Sequence, residues 1–94
     1  GTEQYREVYE LAAYRFPSSR EAVLNAGAAS LALGDREAAA YFLRQVADDP
    51  RSWNNLGVLA LMENEPSEAI SWFRKAMPQN PRLSRHNIRI AQGY

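Results

Sequence analysis

The chain has 94 residues, 46% hydrophobic and 23% charged, with eleven basic side chains balancing eleven acidic ones. That length allows one domain burying roughly 60–65% of its unfolded surface, and the zero net charge removes the overall basic footprint of a nucleic-acid or anionic-membrane binder. The absence of cysteine excludes disulfides, thiolate metal ligands and a thiol nucleophile, and no apolar run approaches the roughly 20 residues of a membrane span.

Helical periodicity runs along almost the whole chain and breaks into six segments. The start, GTEQYREVYE, lacks the basic and apolar regions of a signal peptide. The first segment, about residues 3–15, places Tyr5, Val8, Tyr9 and Ala12 at steps of three and four and stops at Phe16-Pro17. Ser18 and Glu21 have the spacing of a capping box, opening a second helix that runs to about Leu33. Gly34 supplies the positive φ that ends it. Asp35 then caps a third helix over about 36–47, whose apolar side carries Ala39, Ala40, Leu43, Val46 and Ala47. Asp49-Pro50, Glu65-Pro66 and Asn80-Pro81 each pair a cap with a proline in the first turn, where the missing N–H costs nothing. They open helices over about 50–63, 66–77 and 81–92. No strand alternation, low-complexity stretch or linker divides the chain.

The segments repeat. A shift of 30 residues lays Gly27 on Gly57 and pairs Val23 with Trp53, Ala26 with Leu56, Ala39 with Ala69, Leu43 with Phe73 and Val46 with Ala76. A shift of 34 carries Tyr5, Tyr9 and Ala12 onto Ala39, Leu43 and Val46, and Trp53, Leu56 and Gly57 onto Asn87, Ile90 and Ala91. One domain results, built as a half repeat (3–17), two repeats (18–49 and 50–80) and a further half (81–94). In the second full repeat Trp53, Leu56, Gly57, Ala69, Phe73, Ala76 and Pro81 keep the spacing Trp-x2-Leu-Gly, Ala-x3-Phe, Ala, Pro. In this the chain resembles the tetratricopeptide repeat (TPR) family. Ala60 stands where the family has an aromatic, and in the first full repeat Gly27 and Ala39 fit strictly while Leu43 and Val46 fit in character. The resemblance implies an all-α, right-handed solenoid of about six helices, an array of antiparallel hairpins.

Packing explains the pattern without the family. Gly57 and Ala69 lack bulk where two antiparallel helices cross, while Trp53, Leu56 and Phe73 fill the flanking space. Such a hairpin cannot bury both faces, so stacking on neighbours does the rest. Pro50 precedes Trp53 by three residues, whereas Pro17 precedes Val23 by six and Pro81 precedes Asn87 by six. This spacing predicts a shortened junction around Asp48–Arg51 and a local change in superhelical curvature.

No constellation points to catalysis, to a metal or to a cofactor. Asp48-Asp49 reads as a helix cap ahead of proline rather than an acid–base pair, and His86, in RLSRHNIR, as part of a solvated helix face rather than a metal ligand. Trp53 reads as core and Trp72 as packing or convex surface, rather than as stacking platforms for bases or sugars. Arg82, Arg85, His86 and Arg89 make a local positive run without the net charge that nucleic-acid binding requires.

The TPR resemblance implies that the first helix of each hairpin lines a concave groove. It assigns to that groove Asn25 and Asn55, Leu24 and Asn54, Arg51, Arg85 and Arg89, with Val58, Leu61 and Met62 joining Leu24, Ala28 and Leu31 as an apolar floor. A side-chain amide donates to and accepts from a peptide backbone, which suits sequence-tolerant recognition of an extended chain. Asn55, Arg85 and Arg89 also match three of the five places of the carboxylate clamp of some TPR domains, while Leu24 and Ala28 stand where it requires a base and an Asn. The expected function is a non-enzymatic protein-interaction module that holds an extended peptide or partner helix. The alternative is a structural spacer or self-association segment of a larger protein, with Tyr9, Tyr14, Ile88 and Ile90 as exposed or dimer-forming surface.

Overall fold

The computed structural model describes Glu7, Leu11 and residues 19–94. Glu7 and Leu11 are helical and exposed; the rest of the segment expected over about 3–15, with Tyr9, Tyr14, the Phe16-Pro17 stop and Ser18, lies outside the described residues. All regular structure among the described residues is helical. Five α-helices follow one another: α1 (Arg20–Ala32), α2 (Arg36–Gln45), α3 (Trp53–Met62), α4 (Pro66–Ala76) and α5 (Pro81–Gln92), with a 3-10 turn at Pro50–Ser52. They divide between two compact units that meet in sequence at Val46 and Ala47.

In the first unit α1 packs on α2. Its N-cap is Ser19, whose Oγ accepts the Ala22 N–H at 3.3 Å; the cap is thus one residue later than the expected Ser18, and Ala22, three residues on, has no carboxylate to complete a capping box. Ser19 is the residue whose backbone is still extended (φ −81°, ψ 102°), and Glu21 then sits in the first turn, where the helix dipole favours an acid. At the other end Gly34 has φ +74°, as its place after the last turn demands; its N–H donates to Leu31 O at 3.0 Å and that of Asp35 to Ser30 O at 2.9 Å. Asp35 Oδ1 accepts the Ala38 N–H at 3.1 Å and starts α2. That helix ends at Gln45 rather than at about 47, because Val46 has left helical geometry (φ −120°, ψ 27°).

The second unit starts in a tight junction. Asp49 Oδ1 accepts the Arg51 N–H at 2.9 Å, and both the N–H and the hydroxyl of Ser52 return to Asp49 O, at 2.9 and 2.8 Å. Bonds from i to i−3 wind this turn as 3-10, so the α-helix expected from residue 50 begins at Trp53. α3 and α4 pack as a hairpin whose turn repeats that of the first unit: Asn64 takes φ +59°, its N–H donates to Leu61 O at 2.9 Å and that of Glu65 to Ala60 O at 2.8 Å. These are the bonds of Gly34 and Asp35 moved by 30 residues. Pro66 opens α4 as expected, but Glu65 makes no side-chain cap bond, whereas Asn80 Oδ1 accepts the Leu83 N–H at 3.2 Å ahead of Pro81. Glu is not among the short side chains that reach back to a helix N-terminus well.

Each hairpin closes over a glycine. A methyl group at Gly27 would come within 2.6 Å of Leu43 Cδ2, and one at Gly57 would overlap the Phe73 ring, 2.8 Å from Cζ. Leu43 and Phe73 are both 0% exposed, and burying a side chain of this size contributes about 1.5–3 kcal/mol. Around these contacts lie two cores: Val23, Leu24, Ala26, Phe42 and Val46 in the first unit, and Ala60, Leu61, Ala69, Phe73 and Ala91 in the second, where Val58, Ile70 and Ile88 pack at the edge. α5 packs on α4 and runs parallel to α3, with Ser84 beside Asn54 near one end and Ala91 beside Ala60 and Leu61 near the other.

Candidate partner-binding site

The residues expected in a groove separate into two groups. Leu24 and Leu61 are buried within the two cores, so they serve packing and offer no open floor. Arg51 is tied to Asp49 through Nε at 3.1 Å and Nη2 at 2.9 Å, and Asn54 Oδ1 accepts the hydroxyl of fully buried Ser84 at 3.3 Å. Sequence position fixed the helix face of these side chains, but their partners come from elsewhere in the chain.

The second group faces solvent. Asn25 is exposed on α1, in the first unit. In the second unit Asn55, Val58 and Met62 are half-buried along one side of α3, at steps of three and four, and Arg85 and Arg89 are exposed on α5, flanking half-buried Ile88. Val58 and Ile88 pack against the same core, which brings the two rows alongside each other. Neither arginine makes an ion pair with another described residue, and α5 contains no acid. An amide, an apolar strip and two cations thus lie along two parallel helices. That combination suits a backbone, apolar side chains and a negative group, and it holds no nucleophile.

Other expectations fare differently. Trp53 is half-buried rather than core: its indole N–H donates to Ala47 O at 2.9 Å, fastening the start of α3 to the junction. The ammonium of Lys75 lies 4.6 Å from the Trp53 ring and 5.3 Å from that of Trp72, so the two tryptophans share one cation. No sequence period announces this cluster, because Trp53 and Lys75 meet only once the hairpin closes. Ile88 is partly buried against the core, whereas Ile90 is exposed, joined by Leu83 and Tyr94, which the repeat pattern did not single out. Among the described residues no group of three or more His, Asp or Glu could hold a metal, and no helix is long and apolar enough to cross a membrane.

The sequence matches no protein-family model and no curated protein.

Proposed function

We propose that this protein is a TPR-like α-solenoid module that acts, without enzymatic chemistry, by holding an extended peptide or a partner helix along the face shared by α3 and α5. Asn55 binds the partner's backbone, Val58 and Met62 take apolar side chains, and Arg85 and Arg89 meet an acidic side chain or a terminal carboxylate. The observation that carries this reading is the pair of exposed arginines, without an acid on their own helix, beside a row of half-buried amide and apolar side chains. The internal repeat supports the TPR part: Gly27 with Leu43 and Gly57 with Phe73 make the same close contact, and the turns at Gly34 and Asn64 share their bonding.

The energetics suit a modest affinity. A neutral hydrogen bond contributes about 0.5–1.5 kcal/mol net and a charge-assisted one roughly 1.5–3, set against the cost of ordering the peptide. Micromolar binding is the expected range. An arrayed library of extended peptides, half ending in a free carboxylate and half amidated, tests the reading with the full chain. Capture of acidic or free-carboxylate members supports it. A chain that captures no peptide is a structural spacer instead.

A further inference from the structure

The chain has two tryptophans, Trp53 at the start of α3 and Trp72 on α4, and both meet the same cation. The Lys75 ammonium lies 4.6 Å from the centre of the Trp53 ring and 5.3 Å from that of Trp72, inside the roughly 6 Å over which a ring face attracts a positive charge. Both indoles are half-buried and Lys75 is exposed, so the cluster is open to solvent. Trp53 is held in place by its N–H, which donates to Ala47 O at 2.9 Å, and Trp72 and Lys75 stand three residues apart on one face of α4.

A lysine is a poor occupant for such a pair of rings. Its ammonium is compact, strongly hydrated and carries three N–H donors. None of them meets a carboxylate or carbonyl of another described residue, so only solvent is left to accept from them. A quaternary ammonium brings the same charge with no N–H to satisfy, and its methyl groups contact the rings directly, which is why aromatic clusters select it. Lys75 is then a tethered stand-in. Displaced from the rings, it remains beside them, where its charge repels a bare cation but attracts an anionic group carried by the same ligand.

We propose that Trp53 and Trp72 bind the quaternary ammonium of a zwitterionic ligand of the choline phosphate class, with Lys75 leaving the rings to pair with the ligand's phosphate. The short link between the two charges of such a ligand keeps the phosphate within reach of one lysine side chain while the ammonium stays on the indoles. The pairing is charge-assisted, so Lys75 turns from competitor into contact. The site uses none of the residues of the partner-binding face and does not rest on the TPR reading. Free phosphocholine and a phosphatidylcholine surface offer the same head group, and the test separates them.

With no third tryptophan in the chain, indole emission reports on this site alone. The full chain is titrated at matched ionic strength with phosphocholine, tetramethylammonium and phosphoethanolamine. A saturable emission change is expected with phosphocholine, at least about tenfold tighter than with either of the others, because only it offers both a methylated cation and an anion. In Lys75→Ala tetramethylammonium should still bind, and the preference of phosphocholine over it should disappear. Trp72→Leu, followed through Trp53, should lose the response to every ligand; Lys75→Ala, an exposed substitution, keeps the test decisive if Trp72→Leu does not fold. Phosphatidylcholine vesicles that give the same change identify a lipid head group, and a response to soluble phosphocholine alone identifies a free ligand. No saturable change with phosphocholine overturns the proposal. So does a response that phosphoethanolamine matches, one that folded Trp72→Leu retains, or a preference for phosphocholine that survives Lys75→Ala.

Discussion

The Phe73 ring occupies the space where a side chain at Gly57 would begin, and that contact sets how closely α3 approaches α4. Leu43 does the same to Gly27 in the first unit. At an open site Gly57→Ala would gain about 1 kcal/mol of helix propensity. Here the ring is fully enclosed, so overpacking at about 1–3 kcal/mol outweighs the gain. Thermal unfolding followed by circular dichroism should show a lower midpoint for Gly57→Ala and a larger drop for Gly57→Leu; an unchanged midpoint in Gly57→Leu contradicts the close approach.

Removing the ring should cost more. Phe73→Ala removes the largest side chain of a core it shares with Leu61 and the small residues Ala60, Ala69 and Ala91, and the expected loss is about 3–5 kcal/mol in chemical denaturation. A loss below about 1 kcal/mol would mean that the core relaxes around the gap.

Asn64 holds a left-handed conformation, as Gly34 does 30 residues earlier. Asn tolerates φ > 0 better than most residues, but glycine does so at no steric cost. Asn64→Gly should therefore leave stability equal or higher, while Asn64→Val should lower it by about 1–3 kcal/mol through backbone strain. Equal stability of the two variants would argue against the turn geometry.

At the junction, Trp53→Phe keeps a ring for Lys75 but loses the N–H that reaches Ala47 O. The expected cost is about 0.5–1.5 kcal/mol. Lys75→Met should in addition change the tryptophan emission, because the ammonium lies over both indoles. Emission identical to the wild type would place the ammonium away from the rings.

What the sequence made legible was local or periodic. Gly34, Asp35, Asn80 and the three prolines act on their own backbone, and Gly57 with Phe73 belongs to a repeat that size alternation reveals. Ser18 and Ser19 are adjacent hydroxyls with equal chemistry, so the choice of Ser19 as cap depended on where the chain leaves its extended geometry. Asn64 carries no comparable signal, because a positive φ is announced by Gly far more clearly than by Asn. Leu24, Leu61, Asn54 and Arg51 lay on the helix positions expected to face a groove, yet burial or the partners Ser84 and Asp49 claim them. Position along a helix gives a direction, and only the fold supplies what lies in that direction.

The account turns on Asn55, Arg85 and Arg89 receiving a partner, and fluorescence anisotropy with a labelled pool of extended acidic peptides ending in a free carboxylate tests it most directly. Wild-type binding should weaken as salt rises; Asn55→Ala should weaken it about tenfold, and Arg89→Ala should weaken it and also flatten the salt dependence, with the melting midpoint of each variant unchanged. Equal affinity for the pool in wild type, Asn55→Ala and Arg89→Ala would contradict the proposed site.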